Sequence, residues 1–413
     1  MKRCWFSFIM VLVLCAALPF IARSAPPESK TFGDIKIRHL AAGKKVIPAV
    51  TRISHWEIVD IKLPDVVIEN RGKRPITIQS IDAIGRDGEK VIATVRLQQE
   101  ELTAEARKAA RLLENPYIPS LQLALGDIVL PAGKVADSRK IGPGESAVLT
   151  LSKVAFLHYT GHSRVETMDL AVKIWNGKKS GILQYPVKLT HFEQKGNYIF
   201  PLKGDIHMAQ IPLSYIHHRG SHSQEFAFDA VGAAQKGIDF TGISTPNPKT
   251  LSDFGIWGRE VYAVGDGTVV ETGDKFPEKL MSDPAVYEKP GYATKLVRDL
   301  SGKIGFTNAV AGNYIVIDHH NGEFSTYCHL KEGSLRVKEG DRVKKGAVIA
   351  QVGNTGNSGA PHLHFQIMDG KSFTKSNGLP VMFENLKTDA IIVEYPAKAN
   401  VIGFSDSVYY TVK

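Results

Sequence analysis

Two histidines one residue apart, in Pro361-His362-Leu363-His364-Phe365, are the side chains of this sequence best suited to chemistry. On a strand, positions i and i+2 project from the same face. His362 and His364 therefore enter one cavity while Leu363 and Phe365 pack behind them. Such a pair serves either as two metal ligands or as one ligand beside a catalytic neighbour. A second stretch is Tyr327-Cys328-His329-Leu330, where strand alternation puts Tyr327 and His329 on one face and Cys328 on the other. That makes Cys328 a buried thiol rather than a zinc ligand. Upstream, Gly220-Ser221-His222-Ser223-Gln224-Glu225-Phe226-Ala227-Phe228-Asp229 embeds a carboxylate among apolar residues. Burying it is costly unless it pairs or binds a metal. His222, Asp229 and His364 together would supply three ligands and leave a fourth position for water, the catalytic pattern of zinc rather than its closed, structural one. Nine of the 14 histidines fall between residues 200 and 370, which points to a metal site in that region.

The elements that must position these groups read mainly as strands. The run Asn313-Tyr314-Ile315-Val316-Ile317-Asp318-His319 leads to a tight hairpin at Asn321-Gly322, and the strand carrying His329 returns. The loop Gly353-Asn354-Thr355-Gly356-Asn357-Ser358-Gly359 opens the strand of the histidine pair; it lacks the lysine and the helix of a phosphate-binding P-loop. Two further stretches share one grammar of strand, glycine turn and strand: Val261 to Val270, and Val337 to Ile349. Two such units packed face to face make a small β-barrel or sandwich. From about 30 to 195, short strands such as 65–70, 76–78, 146–151 and 170–175 alternate with turns at 71–73 and 176–177, predicting a β-sandwich. One helix interrupts it, with Thr103 able to cap residues 104–113. No catalytic constellation is legible in this first region, which reads as a spacer or docking module.

The 413 residues are 43% hydrophobic, 23% charged and 8% aromatic, the proportions of an ordinary globular protein of about two domains. Lys2 and Arg3 precede an uncharged apolar run from Trp5 to Ile21, then Ala22-Arg23-Ser24-Ala25. This reads as a secretory signal over residues 1–24, cleaved after Ser24. Leu12-Val13-Leu14-Cys15 lacks the small residue a lipoprotein signal needs. No later run approaches the roughly 20 apolar residues of a membrane span. Cleavage removes Lys2, Arg3 and Arg23 and no acid, leaving +6 of the formal +9, and of three cysteines only Cys328 stays. The exported chain then has no internal disulfide. Its modest positive charge suits an anionic partner such as cell wall, whereas the clustered basic and aromatic stripe of a nucleic-acid binder is missing.

Taken together, His222 with Asp229, Val261-Tyr262-Ala263 leading to Asp266-Gly267-Thr268-Val269-Val270, Gly312-Asn313, His329-Leu330 and Pro361-His362-Leu363-His364-Phe365 resemble one family over about residues 215–385. It is the lysostaphin/LytM-type zinc metalloendopeptidase family of bacterial cell walls. The segment 376–381 is similar to a tail of its members. The resemblance implies one zinc ion per chain, held by His222, Asp229 and His364, with His329 and His362 serving catalysis. It implies a duplicated-hybrid-motif β-barrel or sandwich as the peptidase domain (residues 200–385). An immunoglobulin-like β-sandwich (30–195) would precede it, and a C-terminal extension with a strand (386–413) would follow. Six residues separate His222 from Asp229 where the simpler family pattern has three, a spacing similar to members that carry a Phe-Ala-Phe-Asp-like strand. Asp239 in Gly237-Ile238-Asp239-Phe240 is the alternative carboxylate, with Gln235 where its histidine would stand; His217 and His218 rival His222. His320 occupies a hairpin position where glycine is usual. Insertions at about 231–257 and 273–311 enlarge the core, and the second is either a lid beside the cleft or a surface excursion.

The activity implied is an exported, periplasmic or extracellular endopeptidase acting on peptidoglycan cross-links or their peptide stems. Zinc-activated water would be the nucleophile, and His329 and His362 the proton carriers, since no His-Glu-x-x-His helix supplies a glutamate base. The rival readings are a metal-free relative regulating a cell-wall amidase, a secreted protease acting on proteins, and a carrier similar in 337–349 to lipoyl or biotinyl hairpins. That last stretch lacks the sequence context of a modified lysine.

Overall fold

The computed structural model describes residues 30–32, 34–39, 44–53, 56–114, 131, 133–159, 165–209, 218, 222–232, 249–278, 292–373, 375–387 and 407–412. Residues 1–24, read from the sequence as a signal, and His217 and Asp239 lie outside the described residues. Two compact units result: described residues of Pro19–Glu193 with Arg219–His222 form one, and those of Gln194–His218 and Ser223–Lys413 form the other.

The first unit is built from antiparallel strands. One sheet joins β1 (Lys30–Phe32), β2 (Ile35–Arg38), β3 (Ala49–Ile53), β4 (Trp56–Asn70) and β8 (Ser146–Tyr159), with β4 bonded to β2, β3 and β8. The other joins β5 (Ile76–Asp87), β6 (Lys90–Leu97), β7 (Lys140–Ile141), β9 (Thr167–Trp175) and β10 (Ser180–Val187). Ile61, Leu63 and Ile68 of β4, Phe156 of β8, Ile78 and Ile81 of β5 and Val172 of β9 share one apolar core, all fully buried. β4 is far longer than the 65–70 run because it passes through Pro64. Its pairing with β8 shifts register between Leu63 and Val66, a bulge that spares the proline a ladder bond it cannot donate. The helix α1 (Gln99–Glu114) begins five residues earlier than a Thr103 cap would place it. Glu101 accepts from the Gln98 backbone N–H at 2.9 Å, and Thr103 instead donates to Gln99 O one turn back at 2.9 Å.

A buried imidazole ties β10 to the segment after β2. His39 Nδ1 lies 2.7 Å from Tyr185 Oη, and burial pushes the His39 pKa down to about 4. With the folded value below the unfolded one, stability is full above about pH 6.5, falls as pH drops toward 4, and is lost below that. The 2.5-unit interval corresponds to at most about 3 kcal/mol. Urea unfolding of the full chain at about pH 7 and about pH 4.5 should therefore show a loss that His39→Gln reduces by roughly that amount. An unchanged pH difference in the variant would contradict it.

The second unit contains β11 (Gly204–Ala209), β12 (Phe228–Gly232), β13 (Glu260–Tyr262), β14 (Gly267–Gly273), β15 (Asn313–Asp318), β16 (Phe324–Leu330), β17 (Arg342–Val343), β18 (Val348–Gln351) and β19 (Leu363–Met368). β20 (Gly378–Leu379), β21 (Leu386–Lys387) and β22 (Ser407–Val412) complete its strands. The helices α2 (Tyr292–Ile304) and α3 (Phe306–Ala311) precede β15 within the 273–311 insertion. Ten strands form one sheet, in the order β17-β14-β15-β16-β19-β12-β11-β22-β21, with β20 on β19. The two repeat stretches exchange strands: β13 pairs β18 through Val261↔Ala350, and β14 pairs β17 through Gly267↔Val343. Tyr327, Phe365, Phe228 and Phe200 pack in sequence behind the sheet, with ring centroids 5.2–5.3 Å apart. Among the described residues no helix is long and apolar enough to cross a membrane. The chain is mainly β, as read from its sequence.

The β15–β16 turn is wider than a two-residue Asn-Gly hairpin. His319 N–H donates to Glu323 O at 3.1 Å, leaving His320, Asn321 and Gly322 as the loop. His320 adopts φ 58° and Gly322 φ 87°, the left-handed region that explains why glycine suits the His320 position.

Candidate active site

Three adjacent strands present the site. Asp229 on β12 stands directly opposite His364 on β19, and His364 stands opposite Cys328 on β16. Directly opposed residues share a face, so Cys328 lies on the same side as Asp229 and His364. It packs with Ala311, Tyr314, Val316 and Phe373, and burial pushes its thiol pKa upward, keeping it protonated. The thiol is thus buried as read, on the face opposite to Tyr327 as alternation assigns.

His329 departs from that alternation. Ile315 opposes Tyr327 and Asn313 opposes Leu330, so Cys328 and His329 together face the single residue Tyr314. This bulge brings His329 to φ 61°, a left-handed conformation uncommon for a residue with a side chain. The alternation breaks there, and the His329 ring turns to lie 4.6 Å from that of His362 and 6.0 Å from that of His364. Strain of this kind persists where the surroundings impose it.

Around Asp229 the donors converge. His364 Nδ1 and His218 Nε2 each lie 3.1 Å from Asp229 Oδ1, and His362 Nε2 lies 3.5 Å from it. One atom each from His218, Asp229 and His364 fall within 4.8 Å of one another, the one such group among the described residues. The sequence expectation named His222 in the first position. His222 is buried, yet it is not part of this group, and the histidine brought to Asp229 is its rival His218. Two imidazole nitrogens and a carboxylate oxygen are a donor set that suits zinc, and three such ligands leave one tetrahedral position to fill.

Electrostatics fit that chemistry. Burial alone would raise the Asp229 pKa, but the neighbouring His218, His362 and His364 rings hold it well below the usual carboxylate range. Burial lowers the His364 pKa, and burial with the nearby His362 and His364 lowers that of His329 well below its usual value. His329 is therefore neutral near pH 7. Its Nδ1–H donates to Thr355 O at 2.7 Å, and His362 Nδ1–H donates to Ala360 O at 2.8 Å. A carbonyl only accepts, so each ring keeps Nε2 as its basic nitrogen.

Residues 294–377 match peptidase family M23. That is the family the sequence resembles. The M23 match includes His329, His362 and His364 and stops short of His218 and Asp229. Peptidoglycan DD-endopeptidase ShyA of Vibrio cholerae is 43% identical over 58 residues, 14% of this chain and 13% of that protein. Glycyl-glycine endopeptidase ALE-1 of Staphylococcus capitis is 37% identical over 121 residues, 28% of this chain and 32% of that protein. The chain thus spans a third or less of these relatives' own length. The catalytic domain of lysostaphin from Staphylococcus simulans aligns at 26% identity over 33% of this chain and 84% of that domain, with a TM-score of 0.20, too low to carry an argument.

Within the M23 region, the glycine loop supports the histidines rather than a phosphate. Thr355, which receives the His329 proton donor, also bonds Asn313 N at 2.9 Å and Leu330 O at 2.8 Å through its hydroxyl. A Cβ on Gly312 would come within 2.4 Å of Thr355, so only glycine permits this approach. Ser358 Oγ lies 3.1 Å from His362 Nδ1 and donates to Asn354 Oδ1 at 2.6 Å. Thr355, Ser358 and Gln366 were missed from the sequence, although Gln366 stands two residues beyond His364 and so faces the same cavity. Glu278, from the 273–311 insertion, braces the loop: its buried Oε1 accepts from Trp257 Nε1–H at 3.0 Å and Asn354 N–H at 3.1 Å. Removing this shared acceptor in Glu278→Ala should cost about 2–4 kcal/mol, measured by urea unfolding. A loss below about 0.5 kcal/mol would show that the brace is dispensable.

Proposed function

We propose that this chain is an exported zinc-dependent endopeptidase that hydrolyses peptide bonds in peptidoglycan cross-links. The observation that carries the reading is the convergence of His218, Asp229 and His364 beside two histidines whose Nε2 atoms stay basic. The activities for which two relatives are named, peptidoglycan DD-endopeptidase and glycyl-glycine endopeptidase, support the same substrate class. His218, Asp229 and His364 would hold one zinc ion, with His222 as the competing first ligand. Zinc bound there would polarise a scissile carbonyl and lower the pKa of water toward neutrality.

The chain's own groups do the rest. Asp229 is held anionic by its neighbours and so offers a charged oxygen ligand near pH 7. His362 Nε2 and His329 Nε2 can accept the proton of attacking water, donate to the developing oxyanion and protonate the leaving amine. The rings of His329 and His362 stand 4.6 Å apart, which suits action on one substrate atom group. The segment 1–24 would direct export, and the first unit, an accessory sandwich of immunoglobulin-like kind, would dock on the wall or shield the cleft.

The deciding experiment measures zinc content of the purified chain and digestion of purified wall sacculi with and without chelator. One zinc per chain and chelator-sensitive release of cross-linked peptides support the proposal. A zinc-free chain that leaves sacculi intact supports the amidase-regulator reading. Cleavage of casein but not sacculi supports a protease acting on proteins.

A further inference from the structure

We propose that Gln366 is a positioning residue that locks His364 in the tautomer able to bind zinc. The inference rests on the metal reading above and deepens it. Gln366 is buried on β19, two residues beyond His364, and its amide makes two bonds in opposite directions. Nε2 donates to Ser223 O at 3.0 Å, and Oε1 lies 2.8 Å from His364 Nε2. The Ser223 carbonyl can only accept, so it fixes which end of the amide carries the hydrogens. Oε1 is thereby aimed at the imidazole, and His364 Nε2 must be the protonated nitrogen. A neutral imidazole carries one such proton, so Nδ1 presents a lone pair. That lone pair points toward Asp229 Oδ1, 3.1 Å away. Two electron-rich atoms held that close in a buried site repel unless a cation lies between them. His218 repeats the device in looser form, with Nδ1 3.3 Å from Gln224 Oε1 and Nε2 toward Asp229.

The chain Ser223–Gln366–His364 thus settles the protonation pattern before the metal arrives. Groups of this kind tune ligand orientation and basicity, and their loss weakens metal binding about 10–100-fold. Gln366→Leu keeps the shape and removes the acceptor; Gln366→Glu keeps an acceptor toward His364.

Histidine-¹⁵N-labelled, metal-free wild type should show His364 protonated on Nε2 and bare on Nδ1. Competition with a chromophoric chelator should show zinc affinity falling at least about tenfold in Gln366→Leu and staying within about threefold of wild type in Gln366→Glu. A proton on His364 Nδ1 in the wild type overturns the proposal and needs no variant to fold. Equal zinc affinity in wild type and Gln366→Leu, with the wild type binding one zinc, overturns it while leaving the metal reading intact. A wild type that binds no zinc overturns both.

Discussion

His218→Ala will abolish zinc retention, and His222→Ala will not. Both histidines are buried, and spacing alone favours His222, which lies nearer to Asp229 in the chain. Geometry favours His218, whose Nε2 is 3.1 Å from the Asp229 carboxylate and whose ring lies 4.6 Å from that of His364. Losing a direct ligand costs more than losing a supporting group, so His218→Ala should weaken zinc binding by more than about 100-fold. His222→Ala should stay within about tenfold of wild type. Zinc content after dialysis and chelator competition read both outcomes. The reverse pattern would restore His222 to the ligand set, and metal loss in both variants would indicate that the two positions are coupled.

His329→Ala and His362→Ala will keep zinc and lose hydrolysis. Neither residue belongs to the donor group around Asp229, and each holds its Nδ1 proton on a carbonyl, leaving Nε2 for the reacting atoms. Removal of a general acid or base typically costs 10²–10⁴-fold, and each variant should lose about that much turnover on sacculi. Because the two rings act on one event, the double variant should be little worse than either single one. Turnover within about threefold of wild type in either variant would remove that histidine from catalysis. Metal loss in His362→Ala would instead make it a ligand, since its Nε2 stands only 3.5 Å from Asp229.

Much of this arrangement is legible in the residues. Alternation in Leu363 to Met368 gives the strand, the histidine pair and the packing of Phe365, because side chains on β structure repeat every two positions. The glycine-turn grammar of the two repeats is equally local. Their exchange of strands is not, because pairing partners some 80 residues apart leave no trace in either stretch. The face of His329 is also illegible. A bulge opposite Tyr314 adds one residue to the count, and every inference from alternation beyond it inverts. The choice between His218 and His222 is not made by separation along the chain, which constrains distance weakly. Thr103 misled in a simpler way, its hydroxyl being satisfied by the preceding turn rather than by a helix end.

The strand exchange between the two repeats bears on how this unit is made. A nascent chain that has delivered β13 and β14 still lacks the partners that complete them, which arrive only with residues 342–351. Until then two ladder edges stand open to any passing strand, a hazard for self-association during synthesis. Fragments ending before β17 should therefore precipitate rather than accumulate as soluble half-units. The histidine pair, encoded after β18, is delivered only once that clasp can shut.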